Sequence, residues 1–231
     1  MIRLPRSVRQ TAHELTRGLA TGNALRLINY HSTPRIREEQ FRAEIAALAQ
    51  THGGLDQAGL ERFMSGEVPE RPVVIPVLFE GFRDNYDVIL PILEEHGLTG
   101  WFFIPPAFLD VPVAEQRAFA KRQTLIYPRD EYPGERIAMT WDELKDAHRR
   151  GHLVACHSRT HVELTPDTPD DVLDDEIVAA KRDFDEKLGA PVDMFCYLRG
   201  AEFGLNKRAD KRLVDAGYRY LFSNFRLQKL Q

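Results

Sequence analysis

Leu153-Val154-Ala155-Cys156-His157-Ser158-Arg159-Thr160-His161 joins a short apolar run directly to a polar stretch that carries two imidazoles four residues apart. A run this short, preceded by Gly151 and a segment of helical period, has the pattern of a strand buried on both faces of a parallel sheet. The polar stretch has the spacing of a metal site. Residues i and i+4 share one face if the segment begins a helix, so both rings can converge on one divalent ion. A carboxylate from elsewhere then completes a two-His-one-carboxylate set with open positions. Zinc is the first candidate for such a set, with cobalt or iron as alternatives.

The same kind of run recurs at Ala24–Tyr30, Val73–Phe79, Gly100–Ile104, Leu153–His157, Met194–Leu198 and Tyr218–Ser223. Segments of helical period separate these runs: Arg37–Thr51, Leu55–Ser65, Asn85–His96, Trp141–Arg150, Pro169–Leu188 and Asn206–Ala216. Thr140 ahead of Trp141-Asp142-Glu143 marks an N-cap with acids in the first turn, and Gly151 after Arg149-Arg150 marks the matching C-terminus. Strand, helix, strand repeated in this way predicts either a doubly wound sheet or a barrel, and in both the ligands gather at the carboxyl ends of the strands. Glu80-Gly81, His157 and Tyr197 to Gly200 all fall at such ends. Tyr127–Gly134 is expected to be a long surface loop.

The chain of 231 residues, 43% hydrophobic and 29% charged, suits one globular domain spanning 1–231. A net charge of −4 offers no basic field for nucleic acid, and no GxGxxG or GxxxxGK loop indicates a nucleotide. Two cysteines, Cys156 and Cys196, are too few for a secreted disulfide framework and are expected to be buried, inert thiols. No apolar run is long enough for a membrane span. With no secretory signal pattern, the expected location is cytoplasmic. Leu4, Val8, Ala12, Leu15 and Leu19 predict an N-terminal amphipathic helix within residues 1–23.

Taken together, Leu27-Ile28-Asn29-Tyr30-His31, Glu80-Gly81-Phe82-Arg83-Asp84-Asn85-Tyr86, Trp101-Phe102-Phe103-Ile104-Pro105, Met139-Thr140-Trp141-Asp142-Glu143, Gly151-His152 and His157 to His161 resemble the polysaccharide deacetylase family, carbohydrate esterase family 4, over about residues 24–225. The resemblance implies a distorted, incomplete (β/α) barrel. It also implies a divalent metal and the removal of acetyl groups from carbohydrates that carry them, which makes the expected partner a carbohydrate with N-acetyl groups.

In the family, a T-F-D-D-G motif supplies a general base with its first Asp and a metal ligand with its second, which joins the two His of H-[ST]-x-x-H. Anchored on Gly81, this chain has Val77-Leu78-Phe79-Glu80-Gly81, so Glu80 joins His157 and His161 as metal ligands and Phe79 holds the base position. A one-residue gap instead aligns Phe79 with the family Phe and deletes one Asp. Either alignment loses a carboxylate, and a positioned general base contributes about 10²–10⁴ in rate. The third motif, R-x-P-[YF]-G, becomes Cys196-Tyr197-Leu198-Arg199-Gly200, with Cys196 where the family Arg holds the base. No L-x-x-H motif follows Tyr218–Ser223.

Glu80 and Asp84 are the candidates for a displaced base, Asp84 and Asn85 having in addition the pattern of a helix N-cap. Tyr197 and Arg199 are the candidate substrate-binding residues, and His31 follows a strand that can bring it to the pocket. Three functions fit: a metal-dependent hydrolase of N-acetyl C–N bonds weakened by Phe79, a catalytically degenerate carbohydrate- or partner-binding module, and a non-haem iron enzyme.

Overall fold

The computed structural model describes residues 25–224 and 226–230, together with 13, 16 and 17. Apart from those last three, the expected N-terminal helix lies outside the described residues.

The strands are β1 (Leu25–Tyr30), β2 (Val73–Phe79), β3 (Trp101–Ile104), β4 (Leu153–Cys156), β5 (Met194–Cys196), β6 (Tyr220–Phe222) and β7 (Leu227–Lys229). They form one sheet in sequence order, parallel from β1 to β6, with β7 antiparallel to β6. The sheet curls into a half-barrel with helices on its outer side, which is the expected incomplete (β/α) barrel. Among the described residues, β1 and β7 are its two edge strands.

Apolar residues on both faces of β2 to β6 build this shape. On β2, Val74 and Leu78 enter the outer core against the helices, whereas Val73, Ile75 and Val77 enter a second cluster inside the curl. Phe102, Val154, Phe195 and Leu221 repeat the outward choice on later strands, and Trp101, Phe103, Ala155 and Phe222 the inward one. The period of two in strand side chains places them so.

The helices are α1 (Glu38–Thr51), α2 (Gln57–Met64), α3 (Leu90–Glu95), α4 (Pro106–Asp110), α5 (Val113–Arg122), α6 (Trp141–Arg149), α7 (Asp170–Leu173), α8 (Ala180–Leu188) and α9 (Lys207–Asp215). Leu60 of α2 and the neighbouring Leu55 plug the bottom of the curl, where the Trp101 indole donates to the Leu55 carbonyl at 2.8 Å. α6 opens with the predicted cap elaborated into a full capping box, in which Thr140 and Glu143 each satisfy the other's backbone N–H.

Four expectations need correction. The helix expected over Asn85–His96 begins as a π-helical turn, Asn85–Ile89, which passes into α3 around Pro91, a residue with no N–H to give the ladder. Asp84 does not cap that helix with its side chain, which turns to Ser32 instead. α4, α5 and β7 were not foreseen, because short elements carry too few periods to register. Finally, His157 to His161 is not helical. Ser158 and His161 adopt φ of 54° and 67°, and the Ser158 hydroxyl oxygen accepts from Val162 N at 2.8 Å to hold a tight turn.

Candidate active site

The carboxyl ends of the strands open on one cavity of about 1260 Å³. The ladder continues one residue past each of three strands: Glu80 N donates to Phe103 O at 2.8 Å, His157 N to Ile104 O at 2.9 Å, and Tyr197 N to Phe222 O at 2.8 Å. These bonds fix the three chemically loaded tips against the sheet.

The chain leaves β2 through two successive left-handed residues, Glu80 with φ 70° and Gly81 with φ 75°. A Cβ on Gly81 would lie 2.9 Å from Ile104 Cδ1, so any other residue there would have to displace that side chain as well as adopt the left-handed conformation. Glu80, Thr124, His161 and Arg199 all line the cavity with positive φ, a conformation that costs a non-glycine residue roughly 1–2 kcal/mol. Strain concentrated around one cavity is a mark of functional sites.

Glu80 is only 1% exposed. Its Oε1 lies 3.5 Å from His31 Nε2 and 3.7 Å from His161 Nε2, while Oε2 accepts from Ile126 N at 3.4 Å. The His157 and His161 rings stand 5.0 Å apart. His157 Nδ1 is 2.9 Å from the Cys196 carbonyl and His161 Nδ1 is 2.8 Å from the Gln123 carbonyl. A carbonyl only accepts, so each Nδ1 carries the proton and each Nε2 keeps its lone pair. Phe79 fills the centre of the floor, stacked on His31 at 5.1 Å and meeting His157 at 5.3 Å and Phe103 at 5.4 Å.

Burial sets the electrostatics. It pushes the Glu80 carboxyl up to about 8 against the opposing Ile126 N–H. It pushes His157 down to about 3, helped by the charge of His161, and lowers His161 and His31 as well. Glu80 and its two imidazole neighbours therefore meet at neutral pH as mostly uncharged groups rather than as ion pairs.

As placed, no group of three or more His, Cys, Asp or Glu side chains among the described residues is drawn together into a metal site. The donor chemistry nonetheless suits a divalent cation. Two imidazoles have their Nδ1 tied to carbonyls and their Nε2 free, an outer-sphere arrangement common to metal-ligating histidines. A buried carboxyl beside them lacks a countercharge, which a cation supplies.

The other candidates fall into two groups. Arg199 lines the cavity with its side chain 61% exposed, paired to Glu163 at 3.2 Å and reaching Thr124 Oγ1 at 3.4 Å. Tyr197 lines it too, but its ring packs edge-on against Phe195 in the outer core. Asp84 stands outside the cavity lining. It is buried and accepts from the Ser32 hydroxyl at 2.6 Å, and Asn85 Nδ2 donates to the His31 carbonyl at 2.6 Å. Both therefore hold the turn that carries His31. Cys156 and Cys196 are free, buried and on opposite faces of the sheet, and burial pushes Cys156 up to about 12 and Cys196 well above the ordinary thiol range.

Gln123 and Ile126, which reach the site through backbone groups, left no sign in the sequence, because a main-chain carbonyl or N–H is common to every residue type. His31 was detectable only as a histidine after a strand.

The sequence profile of the polysaccharide deacetylase family matches residues 75–221, and the chain belongs to that family. Similar folds occur in a Streptococcus pyogenes deacetylase, PplD, solved with acetate (TM-score 0.63, 16% identity, 84% of this chain and 80% of that one). They occur also in a de-N-acetylase from Aggregatibacter actinomycetemcomitans (0.65, 14%, 89% and 90%) and in IcaB from Ammonifex degensii (0.65, 15%, 87% and 86%). A search of curated protein sequences finds no match. Among the described residues, no helix is long and apolar enough to cross a membrane.

Proposed function

We propose that this chain hydrolyses the C–N bond of N-acetyl groups on a carbohydrate, with Glu80, His157 and His161 holding a divalent metal, zinc first and cobalt or iron as alternatives. The observation that carries the reading is Glu80, a carboxyl 1% exposed with one oxygen 3.7 Å from His161 Nε2 and 3.5 Å from His31 Nε2, beside a His161 ring that stands 5.0 Å from that of His157. When bound, the metal supplies a Lewis acid for the amide carbonyl.

Phe79 takes the place of the first Asp of T-F-D-D-G. Alternation along β2 points Phe79 inward beside His31 and His157, where a base would have to stand. Its ring cannot accept a proton. His31 is the best-placed substitute: its side chain is 31% exposed, it lines the cavity, and Asn85 clamps its backbone. It can take the proton of the attacking water at Nε2 and return it to the departing nitrogen, so acetate and a free amine leave. Arg199 and the strand end at Tyr197 form the substrate side.

A second reading, a degenerate homologue that binds carbohydrate or a partner, draws on Phe79 and Cys196, which remove the base and the Arg that holds it. The test is metal content of the purified protein beside His161→Ala, followed by amine release from N-acetylglucosamine oligomers. Near-stoichiometric metal lost in the variant, with turnover abolished by both His161→Ala and His31→Ala, supports the hydrolase. Sugar binding without metal or turnover supports the second reading.

A further inference from the structure

The cavity extends well beyond the histidine cluster, and along β1 its lining is mainly apolar, with Asn29 between the leucines and His31 and with Ser223, Asn224 and Gln228 on the β6–β7 side. Among the described residues β1 is an edge strand, paired on one side only. Leu25, Leu27, Asn29 and His31 follow one another down its inner face and all line the cavity. Leu27 is 38% exposed, although its register partner Ile75 is fully buried. Phe63 from α2 and Leu227 from β7 line the same cavity. Leu27 lies four residues below His31, roughly 13 Å along a strand, and Phe79 is the apolar link between the cluster and the channel. Large apolar side chains left exposed in a concave site that ends on a few polar groups indicate an amphiphilic ligand.

The geometry points to an N-acyl sugar whose acyl chain is longer than acetyl, about eight carbons, as the occupant: the carbonyl lies at His31 and Glu80 and the alkyl tail runs over Phe79 to Leu27. This rests on the hydrolase reading and extends it to the acyl group. The balanced step is the same hydrolysis. Water adds to the carbonyl, the C–N bond breaks, and the products are a fatty carboxylic acid and the free amino sugar. Phe79 in place of a carboxylate then has a positive use, because a charged group there would interrupt the apolar path. Each methylene buried adds about fourfold to affinity.

The test uses the full zinc-loaded chain, with N-octanoyl- and N-acetyl-glucosamine as probes and Leu27→Asn as the variant. Amine release and calorimetric binding are both read, and Leu25→Asn serves as a second variant with thermal melts to verify folding. The expected result is a kcat/KM at least tenfold higher for the octanoyl probe, with that preference lost in Leu27→Asn while the acetyl rate stays unchanged. Tight octanoyl binding that Leu27→Asn weakens, without amine release from either probe, upholds the channel and overturns the hydrolase. Cleavage of the acetyl probe with no octanoyl preference in rate or binding overturns the channel and leaves the hydrolase standing.

Discussion

Glu80 and His157 are titrating groups whose burial acts in opposite directions on stability. Folded Glu80 keeps its proton up to about pH 8, whereas the ordinary glutamate value is 4.5, so its contribution is fully present below 4.5 and is lost as pH rises through 8. Folded His157 stays neutral down to about pH 3 against an ordinary 6.5, so its contribution is present above 6.5 and is lost as pH falls toward 3. The two slopes offset each other between about 4.5 and 6.5. In chelator, urea midpoints are expected to fall between pH 6.5 and 8 for the wild type, by up to about 1.4 kcal/mol per pH unit, and to stay flat there for Glu80→Gln. Equal slopes for the two proteins would show that Glu80 titrates normally. Saturating zinc should flatten the wild-type profile, since a bound cation favours the carboxylate.

At the scale of elements, the site depends on how strands end. The turn after β2 favours a residue without a side chain at Gly81, because φ is 75° and a Cβ would press on Ile104 and Leu109. Gly81→Ala is expected to cost roughly 1–3 kcal/mol in chemical denaturation and to displace Glu80, lowering metal affinity more than global stability requires. The turn after β4 shows what local pattern captures and what it misses. The spacing of His157 and His161 correctly marked two rings that meet. The helix invoked to bring them together does not form, because left-handed Ser158 and His161 and the Ser158 hydroxyl close a turn instead. The start of α6 was legible from Thr140 to Glu143, since a capping box lies within four residues of sequence. α4 and α5 were not, although Phe108 and Phe119 stack at 5.6 Å and bury both helices against the sheet.

For the molecule as a whole, the central question is what Phe79 does at the place where the proposed function looks for a carboxylate base. Phe79→Asp is expected to release amine from an N-acetyl substrate only a few fold faster, because His31 already moves the proton. A rise toward the roughly 10²–10⁴ that a general base contributes would show that His31 does not. The variant should also melt lower by roughly 2–4 kcal/mol, because it removes a ring that touches His31, Phe103 and His157.

Amino-acid order by itself determined the alternation of strand and helix and which residues end strands, since period, caps and apolar runs are local properties, while the choice between a doubly wound sheet and a barrel was left to the order in which the strands pair. The conjunction at Glu80 was beyond its reach: His31, Ile126 and His161 come to one carboxyl from three separate segments, Ile126 through its backbone N–H, and the Gln123 carbonyl orients His161. The open side of the barrel was equally hidden, because whether Leu25 and Leu27 face a neighbour or a void depends on how far the sheet curls, and that is set by packing summed over every strand.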